Sequence, residues 1–447
     1  MTTHTTPPTA SRPIPRDPQI DSSLALMADP YRFIGSRCRE HGTDVFEARL
    51  LLRPTLCLTG PEAARLFYDE ERFARRGAAP EALEATLFGQ GGVQGLDGER
   101  HRHRKALFVS LCGPQPVQAL AQQVRETWRR TAAGWRAGEP VVLYAAAQEV
   151  FTRAVCAWAG VPLPEAEVKQ RTQQLSLLFD GAGAMNLQHL RSRRARQAAD
   201  AWATGLVEAV RSAGVSASTE ATALERIASH READGELLPA AVAGVELLNL
   251  LRPTVAVAVY AVLAAHALHQ QPGQREALLG APPADQRMAM ACFVHEVRRY
   301  YPFFPAVAAR TRRAFTWNGY AFPAGRRVLL DLYGTNHDAR AWQTPGAFRP
   351  ERFRPERRQQ PRPGSEHIGP PEQRPFGFVP QGGGEAEVHH RCPGEGIAES
   401  LMTQTLQFLL HELHYSVPVQ DLSIDMSRLP ALPRDRMLLL PQSPVLR

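Results

Sequence analysis

The chain has 447 residues, 44% of them hydrophobic and 22% charged, the composition of an ordinary globular protein with enough apolar material to enclose a cofactor. Its net charge of +7 sets 52 Lys and Arg against 45 Asp and Glu, dispersed along the chain with local concentrations in RHRHRK (100–105) and RSRRAR (191–196) and no recognition motif beside them, so nucleic-acid binding is set aside. Six cysteines without regular spacing argue against a disulfide framework and for reduced thiols in the cytoplasm.

Residues 1–18 carry no apolar run of signal-peptide length and read as a disordered tail. Residues 19–447 contain no Gly/Ser linker or repeat and read as one domain. ARLLLRPTLCLTG (48–60) predicts short strands near the N-terminus. From Glu99 to about Gln270 the spacing and the Ala, Leu, Arg, Gln and Glu content predict helices, broken near Gly113, Gly160 and Gly214. Within that stretch, Leu237–His269 predicts one long helix. Its uncharged part, Pro253 to Ala265, falls short of the roughly twenty residues a bilayer needs, so a helix through the protein centre, forming one wall of a pocket, is expected rather than a membrane span. After Tyr301, Pro and Gly become frequent. RVLLDLY (327–333) predicts a strand, and GIAESLMTQTLQFLLHEL a last helix starting just after Cys392.

The chemistry concentrates in FVPQGGGEAEVHHRCPGEGIAE (378–399). A cysteine at a helix start meets backbone N–H groups and the positive dipole end, which favour thiolate, and glycines allow a flat ligand to approach. The GGGE run lacks the Lys-Ser/Thr pair of a phosphate loop. A zinc site built from His389, His390 and Cys392 lacks a second Cys/His pair. Upstream, HEVRRYYP places Glu296 and Arg299 three apart on one helix face, and PERF (350–353) offers Arg352 as a second cation for Glu296.

Taken in order, Glu296 with Arg299, PERF, and Phe378 with GGG and RCPGE resemble the signature set of the cytochrome P450 family, over nearly the whole chain. The resemblance implies a mainly α fold with small β-sheets, and haem b buried between the long central helix and the helix after the cysteine loop. It makes Cys392 the axial ligand of the iron and Glu296, Arg299 and Arg352 a structural ion cluster. It also places His101, Lys105 and His390 at the haem propionates. Phe303 and Phe304 are candidate pocket residues, with core packing as the plainer role.

Two departures narrow the branch. Phe378 stands fourteen residues ahead of Cys392, a longer loop than usual, and the central helix reads LLNLLRPTVAV, with Arg252 and Pro253 where most members carry an acid and an alcohol for proton delivery. A guanidinium in an apolar stretch needs a counter-anion, and Leu248, Asn249, Val255 and Ala256 supply none; a distant carboxylate or a bound ligand must. Pro253 removes a helix hydrogen bond and predicts a kink beside Arg252. The Arg-Pro pair and the long loop resemble the bacterial fatty-acid peroxygenase branch. That resemblance implies hydrogen peroxide as co-substrate, no redox partner, and a long-chain fatty acid whose carboxylate, held by Arg252, acts as general acid/base during hydroxylation at the α or β carbon. Some members instead release a terminal alkene, often with a His where this chain has Gln94, so alkene is expected as a minor product. The rival readings are a reductase-dependent monooxygenase and a non-catalytic haem or fatty-acid sensor.

Overall fold

Apolar sequence on every face decides where the longest helix lies. In the computed structural model, which describes residues 12–180, 187–214, 221–355 and 376–442, that helix runs Ala240–Gln270 and is buried along nearly its whole length. It is long and apolar enough to cross a membrane, yet 94% of its most apolar window is buried inside the protein. Around it pack the helices Leu143–Ala159, Val168–Asp180, Leu187–Ala213, Pro283–Tyr300 and Glu395–Gln407. Each fully buried Val or Leu of the central helix, such as Leu247, Leu251, Val255 and Leu263, contributes about 1.5–3 kcal/mol through removal from water.

The predicted breaks are found between helices. Gly113 precedes Pro114–Ala132, and Gly160 ends Leu143–Ala159 at φ 74°, a left-handed cap that a side chain would strain. The last helix begins at Glu395, preceded by Gly394 at its N-cap, and its end widens into a π-helical turn at Phe408–Glu412.

The strands form a mixed five-stranded sheet in the order Val45–Leu50, Arg53–Leu58, Arg327–Asp331, Ala306–Thr311 and Phe73–Ala74, with a three-stranded and a two-stranded sheet elsewhere. The first two strands are an antiparallel hairpin, and the second runs parallel to Arg327–Asp331 in the register Thr55 to Arg327. The expected disordered tail needs correction in its second half. Arg12 bridges to Tyr320, Arg16 to Glu47, and Asp17 is buried, because the sheet edges offer unpaired backbone groups that residues 12–17 satisfy. The remainder of that tail, residues 1–11, lies outside the described residues.

Candidate active site

Three parts of the chain converge beside the central helix: the cysteine loop, the helix Gly98–Leu111, and the segment around Leu87 and Gln94. Cys392 sits in a loop whose backbone is tied down by its own N–H donating to Gln381 O at 3.0 Å. Two glycines of that loop have positive φ, Gly382 at 99° and Gly384 at 81°. A Cβ on Gly382 would lie 2.9 Å from the Tyr68 hydroxyl and 3.2 Å from Arg391 Cα, and one on Gly384 2.7 Å from the His389 ring. Gly382 and Gly384 are therefore required by the folding of the loop itself.

The electrostatics of Cys392 differ from the expectation. Burial pushes the thiol pKa up and outweighs the Gly394 N–H, Lys105 and Arg298, which favour thiolate. A thiolate here needs a metal cation, which deprotonates a coordinating thiol outright. Although deeply placed, Cys392 keeps part of its surface accessible. That combination suits a ligand to a buried iron.

Beyond the loop, basic groups gather. The His101 and His390 rings stack with centroids 3.7 Å apart, and His101 Nδ1, though buried, has no hydrogen-bond partner among the described residues. Burial and neighbouring cations push His101 down to about 4, and His390 also falls well below its usual value. Arg75 belongs to the same cluster, held over the Phe67 ring at 4.0 Å and donating to Ala308 O, with burial lowering it to about 10. Asp97 offsets this charge only in part. An incoming dianion with two carboxylates, as haem b carries, suits this cluster and the orphaned imidazole nitrogen. Lys105 stands differently from expectation: its Nζ donates to the carbonyls of His389 and Arg391, so it braces the cysteine loop from behind, its pKa lowered by burial to about 8.

On the opposite wall, Arg252 is 6% exposed and makes no ion pair with a carboxylate among the described residues. Its guanidinium donates to Leu87 O and, at 3.4 Å, to Asn249 Oδ1. Burial and the nearby Arg196 lower its pKa to about 9, and the Cys392 thiolate acts in the opposite direction, which places the two groups within electrostatic range. Pro253 interrupts the hydrogen-bond ladder but not the helix, which continues to Gln270, and it keeps partial exposure while Arg252 and Thr254 beside it are buried.

Gln94 enters the site through Asn249. The Asn249 Nδ2 donates to Gln94 Oε1 at 3.1 Å and to Glu246 Oε2 at 2.9 Å, and Glu246 in turn accepts from Arg104 at 3.1 Å. Polarity along this chain follows from the two arginines. Arg104 and Arg252 can only donate, so Glu246 accepts from Arg104, and Asn249 turns its oxygen toward Arg252 and its NH2 toward Glu246 and Gln94, even though burial raises the Glu246 pKa. Gln94 is left with its NH2 as the free end. The sequence pointed to Asn249 only as a neighbour without charge and gave no role to Glu246 or Arg104; Glu246, Asn249 and Arg252 spaced three apart in a mainly apolar helix were the available signal.

Phe303 is 8% exposed and stacks on Tyr260 of the central helix at 4.3 Å, which makes it core; Phe304 meets its edge and stays partly exposed. On the far side of the cysteine loop, Arg299 donates twice to Glu296, at 2.7 and 2.8 Å, and Arg352 approaches the same carboxylate at 3.3 Å. Arg299 also donates to the carbonyls of Asn336, Pro345 and Ala347. The neighbouring Arg298, unremarked in the sequence, is fully buried, pairs with Glu395 and Glu399, and donates to Gln381 Oε1 at 2.9 Å, locking its helix to the cysteine loop.

A family model described as Cytochrome P450 matches residues 282–444. Among solved structures, a variant of cytochrome P450SP alpha superposes with a TM-score of 0.86 at 49% identity, covering 94% of this chain and 98% of that one. Cytochrome P450EX alpha, solved with myristic acid, superposes with a TM-score of 0.86 at 41% identity, covering 96% and 98%. A curated relative, Cytochrome P450 71D18 of Mentha gracilis, is 28% identical over 165 residues, and the alignment spans 35% of this chain but only 30% of that protein.

Proposed function

The chain belongs to the cytochrome P450 family, and we propose that it is a fatty-acid peroxygenase, consuming hydrogen peroxide to hydroxylate a long-chain fatty acid at the α or β carbon. The balance is RH + H2O2 giving ROH + H2O. Haem b would be held through Cys392, with His101, His390 and Arg75 available to its carboxylates, and would supply the oxidising chemistry. The remaining work falls to the chain.

The observation that carries the reading is Arg252, buried on the central helix without a carboxylate partner among the described residues. A fatty-acid carboxylate completes it through two parallel hydrogen bonds, which fix the acid's orientation and bring its first carbons toward the Cys392 side. The same carboxylate takes a proton from peroxide and returns it to the departing oxygen as water leaves, the task for which most relatives use the acid and alcohol absent here. Gln94 presents an uncharged amide NH2 beside it and holds no titrating proton near neutral pH, which favours hydroxylation over loss of carbon dioxide. Burial among apolar residues keeps bulk water from competing. The reaction takes place in the cytoplasm.

The test is incubation of the purified holoenzyme with a saturated long-chain acid and hydrogen peroxide, without reductase, followed by mass spectrometry of the products. Hydroxy acids with the new hydroxyl at the α or β carbon are expected, with terminal alkene as a trace. Turnover that appears only on adding a reductase and its electron donor would assign the protein to the dioxygen-dependent monooxygenases instead.

A further inference from the structure

The hairpin that opens the five-stranded sheet turns through Leu51 and Leu52, both in the left-handed region at φ 53° and 59°. A two-residue turn of this kind is the position that Asn-Gly fills at no steric cost, and β-hairpins favour it because it matches strand twist. Here two leucines occupy it. They are 52% and 74% exposed, so neither backbone preference nor burial accounts for them.

The tip is built out further by the segment before it. Leu51 N donates to Ser23 Oγ at 2.7 Å and Leu52 N to Asp21 Oδ2 at 2.6 Å, which fixes residues 20–24 against the turn. Ile20 and Leu24 on that segment are 83% and 79% exposed, and the helix Ser23–Ala28 buries no residue. Four large aliphatic side chains thus project from one hydrogen-bonded unit.

The same end of the sheet is basic. Because Arg53–Leu58 and Arg327–Asp331 run parallel and Ala306–Thr311 runs back, Arg53, Arg327 and Arg310 all emerge there. With Arg326 they line a cleft of about 450 Å³. Burial and the charges of Arg53 and Arg310 lower the Arg327 pKa. Among the described residues, Arg49, Arg53, Arg310 and Arg327 have no carboxylate within ion-pair distance; Arg326 pairs with Glu47, Asp21 carries the turn, and Glu81 lines the cleft.

We propose that this end of the molecule docks on an anionic phospholipid bilayer, with Leu51, Leu52, Ile20 and Leu24 entering the interface and the arginines meeting lipid phosphates. Apolar tip and uncompensated guanidinium groups are the two halves of such a contact. Neither suits a free phosphate, which has no use for the leucines, and self-association would bring the arginines of two copies together. A bilayer is also where a long-chain acid partitions, but the docking stands on the surface alone and not on the reading of the pocket.

The experiment is co-sedimentation of the holoenzyme with vesicles of phosphatidylcholine and phosphatidylglycerol, and with phosphatidylcholine alone. Binding to the mixed vesicles, weakened by salt, is expected. The paired variant Leu51→Asn with Leu52→Gly, which supplies the residues the turn prefers, should raise Tm yet weaken vesicle binding about tenfold or more. Arg49→Gln with Arg53→Gln should also weaken it about tenfold. Activity on soluble substrate should be unchanged in both. Absence of vesicle binding overturns the proposal, as does equal binding by the leucine variant. So does a shift from dimer to monomer in that variant, or phosphate binding to the arginine cleft without vesicle binding.

Discussion

Two buried arginines on either side of the cysteine loop live in opposite surroundings. Arg299 is saturated, with two hydrogen bonds to Glu296 and three backbone carbonyls besides. Arg252, also buried, has one carbonyl, one distant amide oxygen and the repulsion of Arg196. Burying a charge costs free energy that only a partner offsets. Where the partner is part of the chain, the charge holds the structure together; where it is missing, the site is set to take an anion.

Breaking the saturated side has the largest expected effect. Glu296→Ala leaves Arg299 and Arg352 as uncompensated cations and should cost about 3–5 kcal/mol, read as a fall in Tm or a failure to accumulate haem-bound protein. A wild-type Tm would dissolve the contrast. Arg252→Met is the counterpart. It should leave Tm equal or higher, since a buried cation is replaced by an apolar chain of similar length. Fatty-acid turnover should fall by about a hundredfold or more, with haem still bound. A destabilised but active Arg252→Met protein would reverse the two roles.

The pH dependence of stability sharpens the same argument with histidine. His266, between the Tyr301 hydroxyl at 2.7 Å and Leu422 O at 3.1 Å, is pushed by burial down to about 4. It stays neutral when folded while the unfolded chain takes up a proton near pH 6.5, so stability is full above that pH and falls as pH drops toward 4. The slope is up to about 1.4 kcal/mol per pH unit for this one group. Urea unfolding of wild type and His266→Gln between pH 7 and 4.5 should give a shallower acid decline for the variant. The smallest expected change is at Asn249. Asn249→Leu removes the hydrogen bonds that orient Gln94 and Arg252, and should weaken the fatty-acid-induced spectral shift of the haem about fivefold and broaden the ratio of α to β product.

Much of this was legible along the chain because its causes are local. A spacing of three on a helix brings Glu296 to Arg299 whatever surrounds them, a proline within a helix removes one known hydrogen bond, and an unbroken apolar run has to be buried. Those features were enough for the long central helix, the cysteine loop and the anomaly at Arg252. The partners were not legible, because each is supplied by packing between segments far apart in sequence. Lys105 turned out to brace the carbonyls of His389 and Arg391, Arg298 to reach Glu395 and Glu399, and Arg75 to join His101 and His390.

The same division runs through the function. Composition and local residues already put a cation inside the central helix and a lone cysteine ahead of a helix, since burial follows from composition and helix starts from local residues. Folding is what leaves Arg252 without a carboxylate among the described residues while Arg299 has one, and what orients Gln94 through Asn249 by Glu246 and Arg104. Charge compensation is a sum over every neighbour in space, and that sum exists only once the chain has folded.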